Sequence, residues 1–106
     1  MKNVQQAKFR IGQIVEHKLF NYRGVVFEVD PVFSLSDEWY DQVARSRPPR
    51  DRPWYHVLVD NGAHTTYVAE RHLRATDNVG EIHHPAIADF FSGYSNGYYQ
   101  PKQKLM

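Results

Sequence analysis

The sequence predicts a mainly β protein, a small β-barrel with a short helical insertion and a short C-terminal helix. Three observations predict it. Four segments, QIVEHKLF, GVVFEVD, WYHVLVD and AHTTYVAE, alternate apolar and polar residues or are rich in β-branched and aromatic ones. Turn-forming residues punctuate the chain roughly every ten positions. A chain of 106 residues is of ordinary size for one core.

Residues 1–8 are polar and are expected to be flexible, with the barrel occupying 9–75 and a C-terminal extension occupying 76–106. After Gly12, Val15, His17 and Leu19 alternate with Glu16 and Lys18, the period of a strand. Asn21-Tyr22-Arg23-Gly24 reads as a turn into a second, antiparallel strand, with Val25, Phe27 and Val29 on one face and Val26 and Glu28 on the other. Asp30-Pro31 ends it, because proline lacks the ladder donor and restricts its predecessor. Ser36 suits the N-cap of a short helix through SDEWYDQVARS, with Asp37 and Glu38 in its first turn and Trp39 and Val43 on one face. Pro48-Pro49 stops it.

Pro53 then leads into WYHVLVD, and Asn61-Gly62 connects it to AHTTYVAE. That dipeptide between two alternating runs is a strong hairpin signal. A two-residue turn there pairs Val59 with His64, Val57 with Thr66 and Tyr55 with Val68. Tyr55, Val57, Val59 and Val68 then face the core. Trp54, His56, Leu58 and Tyr67 share the opposite face, which is too apolar for water and needs a loop, a helix or another subunit over it. Glu70–Leu73 suggests one helical turn, and residues 76–80 a loop. His84-Pro85 opens a short helix with Ile87, Phe90 and Phe91 on one side. The end, SGYSNGYYQPKQKLM, shows no period and is expected to be partly disordered unless it docks on a partner.

Composition excludes several function classes. With no cysteine there is no disulfide, thiolate chemistry or cysteine-ligated zinc, which suits a reducing cytoplasm. The N-terminus has no signal-peptide core, and no apolar run reaches the ~18 residues of a membrane span. His17, His56, His64, His72, His83 and His84 match no metal-ligand spacing, so no metal or cofactor is expected. Ser34, His56 and Asp60 could be drawn as a triad, but no nucleophile motif supports one. Asp37-Glu38 favours a helix dipole rather than acid–base work, and no glycine-rich phosphate loop is present. No enzyme is expected.

Charge is informative only locally. The chain carries thirteen Lys and Arg against twelve Asp and Glu, yet Arg45, Arg47, Arg50 and Arg52 crowd into RSRPPRDR. The plain reading is a solvated loop whose arginines pair with Asp37, Asp41 and Asp51. The sharper one is anion contact, since guanidinium forks bind phosphate bidentately. Docking of an acidic protein is a third. Trp54 and Tyr67 either complete a core under the insertion or stack bases beside the basic loop.

The ordered elements GQIVEH, YRGVV, DPVFS, PWYHV and YVAERHL resemble the HspQ family, also called YccV-like or hemimethylated-DNA-binding domain proteins. HHPAIADFF and the aromatic-basic end resemble the extension of its α-proteobacterial branch. The resemblance implies an SH3-like β-barrel in a cytoplasmic bacterial heat-shock protein. It implies preferential binding of hemimethylated DNA, or enhancement of substrate degradation by the Lon protease, and homo-oligomers including trimers. The expected anion contacts are Arg45, Arg47, Arg50 and Arg52, and the expected oligomer or partner face is Trp54, His56, Leu58 and Tyr67. A structural oligomer without DNA binding is the remaining alternative.

Overall fold

The structure is a computed structural model and describes residues 6–102. The expected flexible N-terminus before Gln6 and the tail beyond Lys102 lie outside the described residues. Strands β1 (Ile14–His17), β2 (Arg23–Asp30), β3 (Trp54–Val59), β4 (Thr65–Ala69) and β5 (Leu73–Ala75) form one antiparallel sheet in the order β4-β3-β2-β1-β5. Helix α1 (Asp37–Val43) lies between β2 and β3, and a 3-10 turn (Glu70–His72) between β4 and β5. Helix α2 (Ile87–Phe90) leads into a hairpin of β6 (Phe91–Ser95) and β7 (Tyr98–Pro101). The fold is mainly β, as expected, but the sheet does not close: β4 and β5 are its two edges.

The β3–β4 register is the one the Asn61-Gly62 signal predicts, with Tyr55 opposite Val68 and Val57 opposite Thr66. Ser36 caps α1, its Oγ accepting from the Trp39 N–H at 3.1 Å. Two local expectations need correction. The first turn comes earlier, at residues 18–21: Leu19 is not a strand residue, and Asn21 turns the chain with φ 58°. The register of β2 against β3 also shifts between Val26 and Glu28. This bulge places Val26 and Val29 in one cluster and Val25 and Phe27 in the other, so Val29 does not share a face with Val25.

The sheet buries both faces. Val15, Val26, Tyr55, Val57, Val68 and Leu73 pack on one side with Phe9. On the other, Leu58 meets Ile14, Val25, Ile82, Phe91 and Tyr99, while Trp54 meets Phe33, Tyr40 and Ala44. The face that needed a cover is therefore covered by the chain itself, by α1 at one end and the C-terminal extension at the other. Each such large side chain contributes roughly 1.5–3 kcal/mol when fully buried.

The C-terminal hairpin is the main departure from expectation. Asn96 (φ 54°) and Gly97 (φ 84°) form its turn, the same Asn-Gly signal read at residues 61–62. It docks through Gly12: the Tyr99 N–H donates to the Gly12 carbonyl at 2.9 Å, and the Gly12 N–H donates to Val26 O at 2.8 Å. Gly12 has φ 94°, and a Cβ there would stand 2.1 Å from the Tyr99 oxygen. Only glycine meets both demands.

Candidate nucleic-acid interface

The arginine loop does not act as one unit. Arg47 pairs with Asp41 at 3.0 Å and Arg50 with Asp37 at 2.5 Å, both acids being on α1. Arg50 also lies over the Phe33 and Tyr40 rings, and Arg47 over Tyr40. These two arginines turn toward the insertion's own helix. Arg45 and Arg52 take a different side. Arg45 lines a groove with His17, Ser46 and His72, and Arg52 lines a smaller cleft with Lys8, Glu70 and Arg71.

The loop and the 3-10 turn are stitched together. Arg71 donates to the Ser46 carbonyl at 2.9 Å, and Ser46 Oγ lies 3.4 Å from His72 Nε2. The Lys18 N–H donates to His72 O at 2.8 Å, which brings the β1–β2 turn to the same place. Lys8, Lys18, Arg45, Arg52 and Arg71, from separate parts of the sequence, therefore border one region. Among the described residues Glu70 is the sole carboxylate lining the two depressions. Its Oε2 accepts from the Tyr55 hydroxyl and the Lys8 N–H, so its charge is already engaged. Sequence reading missed Lys8, Lys18 and Arg71 because nothing in their spacing shows that they meet.

The histidines register this environment. Burial, and then the neighbouring Arg71 and Lys18 cations, hold the His72 pKa below its ordinary value. His17 is also lowered, by burial first and by His72 second. Its Nδ1 accepts from the Leu19 and Phe20 N–H groups at 3.1 Å each, which requires a neutral acceptor nitrogen. That clamp presents Leu19 and Phe20, 61% and 73% exposed, at the tip of the turn.

Of the four residues expected to face a partner, Trp54 and Leu58 are buried inside the chain and cannot do so as placed. His56 and Tyr67 are half-buried and line the groove. Asp30 ties them together, accepting from the Tyr67 hydroxyl at 2.8 Å and lying 3.0 Å from His56 Nε2. The Tyr67 oxygen in turn accepts from the Ser34 N–H. Burial and the Asp30 bond push the Tyr67 pKa up. Glu28, Asp30 and His56 place their ligand atoms within 4.8 Å of one another, with Asp30 and His56 already bonded within the chain. Ser34, His56 and Asp60 do not form a hydrogen-bonded triad. Ser34 donates to Val32 O, His56 bonds Asp30, and Asp60 receives Arg23 and the His83 N–H.

The groove itself measures about 710 Å³. It runs along β4, with Leu19, Phe20 and Tyr22 on one wall and Leu35, Trp39 and Val43 on the other. Among the described residues no helix is long and apolar enough to cross a membrane. A basic margin beside exposed apolar tips is chemistry suited to nucleic-acid backbones and base edges. The family model for "Hemimethylated DNA-binding protein YccV like" matches residues 7–98, nearly the whole of this fold, and the chain belongs to that YccV-like family.

Proposed function

We propose that this protein is a non-enzymatic regulatory factor that binds hemimethylated DNA. The observation that carries the reading is the convergence of Lys8, Lys18, Arg45, Arg52 and Arg71 on one region, in a chain of this family. Those cations contact phosphates and fix the register on the duplex. Leu19 and Phe20, held at the turn tip beside Lys18, supply the apolar contact that a base methyl group rewards in the major groove.

The test is a titration of hemimethylated, unmethylated and fully methylated duplexes at several salt concentrations. Hemimethylated duplex is expected to bind tightest. Lys18→Ala, Arg45→Ala and Arg71→Ala are each expected to flatten the log K against log salt slope by about 0.9. Phe20→Ala is expected to erase the preference for hemimethylated duplex while leaving that slope unchanged. Equal affinity of the wild-type protein for all three duplexes removes the methylation reading.

The family resemblance adds a second reading, a cytoplasmic heat-shock factor that sharpens degradation by Lon, acting as a homo-oligomer with a trimer as the expected state. What supports a protein partner is the apolar wall formed by Leu35, Trp39 and Val43. Faster Lon turnover of a substrate in its presence is the expected result; unchanged turnover across several substrates removes this reading.

A further inference from the structure

We infer that the groove along β4 is a site for an extended, acidic-apolar peptide, which adds to the sheet as a sixth strand. The site itself rests on backbone groups, which the DNA reading does not use, and on apolar walls; only the charge of the occupant is argued from cations that the two readings share.

The first observation is the open edge. β4 pairs with β3 on one side and ends the sheet on the other. The Val59 N–H bonds His64 O, so hydrogen-bonded pairs alternate from there to Val57–Thr66 and Tyr55–Val68. The N–H and C=O groups of Thr65 and Tyr67, with the Ala69 N–H, then point away from β3, while the Ala69 C=O opens the 3-10 turn. Among the described residues no bond outside the sheet's own ladder takes the other five groups. An edge left with unpaired donors and acceptors is a template for another strand.

The second observation is what borders that edge. Each of Thr65 to Ala69 lines the groove, which leaves space along the full length of β4, about 17 Å for five residues. Leu19 on one wall and Leu35 and Val43 on the other are 61%, 39% and 55% exposed. Side chains of an added strand point alternately to the two faces of the sheet, so both walls receive them. This geometry favours a peptide: a duplex offers no N–H and C=O ladder at strand spacing.

The third observation is charge. Among the described residues no Asp or Glu lines the groove, whereas Arg45 does; Lys18 and Arg71 adjoin His72 and Ser46 in its lining, and Asp30, behind His56 and Tyr67, is already bonded to both. The occupant therefore carries acids between its apolar residues.

The experiment uses the full chain and a fluorescent eight-residue peptide alternating valine and glutamate. Three comparisons are made: the same peptide with lysine for glutamate, the same peptide N-methylated at alternate backbone nitrogens, and the Val43→Glu protein. Each is expected to weaken binding roughly tenfold or more, about the loss of one or two hydrogen bonds or a charge-assisted contact. Backbone amide resonances of Thr65, Tyr67 and Ala69 are expected to shift with the first peptide. Because Val43 is exposed, Val43→Glu is not expected to unfold the protein, and thermal melting checks this. N-methylated and plain peptides binding alike would overturn the inference. So would β4 amide shifts that appear with a short duplex, or with rising protein concentration, but not with peptide. The first result would assign the edge to DNA and the second to another copy of this chain.

Discussion

His17 ties the tip of the first hairpin to its base. Its ring is buried, stacks on Phe20 at 4.7 Å, and accepts two backbone N–H groups at Nδ1. Protonation replaces that acceptor with a donor and sets a charge beside His72, whose own pKa is lowered by burial, Arg71 and Lys18. A group whose folded pKa lies below its unfolded value gives stability that is complete above the unfolded value, near 6.5 for both histidines. That stability is lost as pH falls through the folded values. Urea unfolding followed from pH 7.5 to 5 is expected to show the decline beginning near 6.5. His17→Ala is expected to cost about 1–3 kcal/mol at pH 7.5, since two donors lose their acceptor, and to reduce the decline. A variant with the wild-type pH profile would show that the clamp does not titrate.

At the scale of elements, the C-terminal hairpin completes the fold rather than trailing from it. Phe91 and Tyr99 close the cluster around Ile14, Val25 and Leu58, and the Tyr99 hydroxyl accepts from the Ile82 N–H at 2.8 Å. The docking point is Gly12, where a side chain meets both an unfavourable φ and the Tyr99 carbonyl. Gly12→Ala is expected to cost more than about 2 kcal/mol and to raise binding of a hydrophobic dye by exposing that cluster. Unchanged melting and dye binding would mean that the hairpin is not held there. Helix α1 has a comparable part at the other end. It covers Trp54 with Tyr40 and Ala44, and its acids hold Arg47 and Arg50.

For the whole molecule, the distribution of charge differs from the impression left by RSRPPRDR. Over residues 36–52, Asp37, Glu38, Asp41 and Asp51 balance the four arginines. The positive margin arises elsewhere, where Arg45 and Arg52 are joined by Lys8, Lys18 and Arg71. DNA binding is therefore expected to weaken far more in the double variant Arg45→Ala/Arg71→Ala than in Arg47→Ala/Arg50→Ala. Exposed ion pairs such as the latter two make only a modest contribution to stability, so both double variants are expected to remain folded. Equal losses of affinity, measured at one salt concentration with circular dichroism as the folding check, would return the site to the loop as a whole.

Strands β1 to β4, the α1 cap, the β3–β4 register and the family were legible in the chain, whereas the short β5 was not, its start having read as part of a helical turn. Alternation and Asn61-Gly62 specify which residues oppose each other over short separations, and the ordered motifs identify the family. The hairpin at 91–101 was half-legible: Asn96-Gly97 signals a turn, but Gly93 and Pro101 break the pattern of the flanking strands. The candidate site was least legible. Lys8, Lys18, Arg45 and Arg71 meet only because β1, the insertion and the 3-10 turn return to one place, and residues far apart in sequence carry no local sign of that return. Whether Trp54 and Leu58 face a partner or the interior was likewise undecidable from period two, which shows that a face is apolar but not what covers it. Sequence alone specified strands β1 to β4, their local pairing, the helical insertion and the family; tertiary packing decided where β5 and the C-terminal hairpin dock, which cations converge and which apolar face is filled, because all three depend on contacts between residues far apart in the chain.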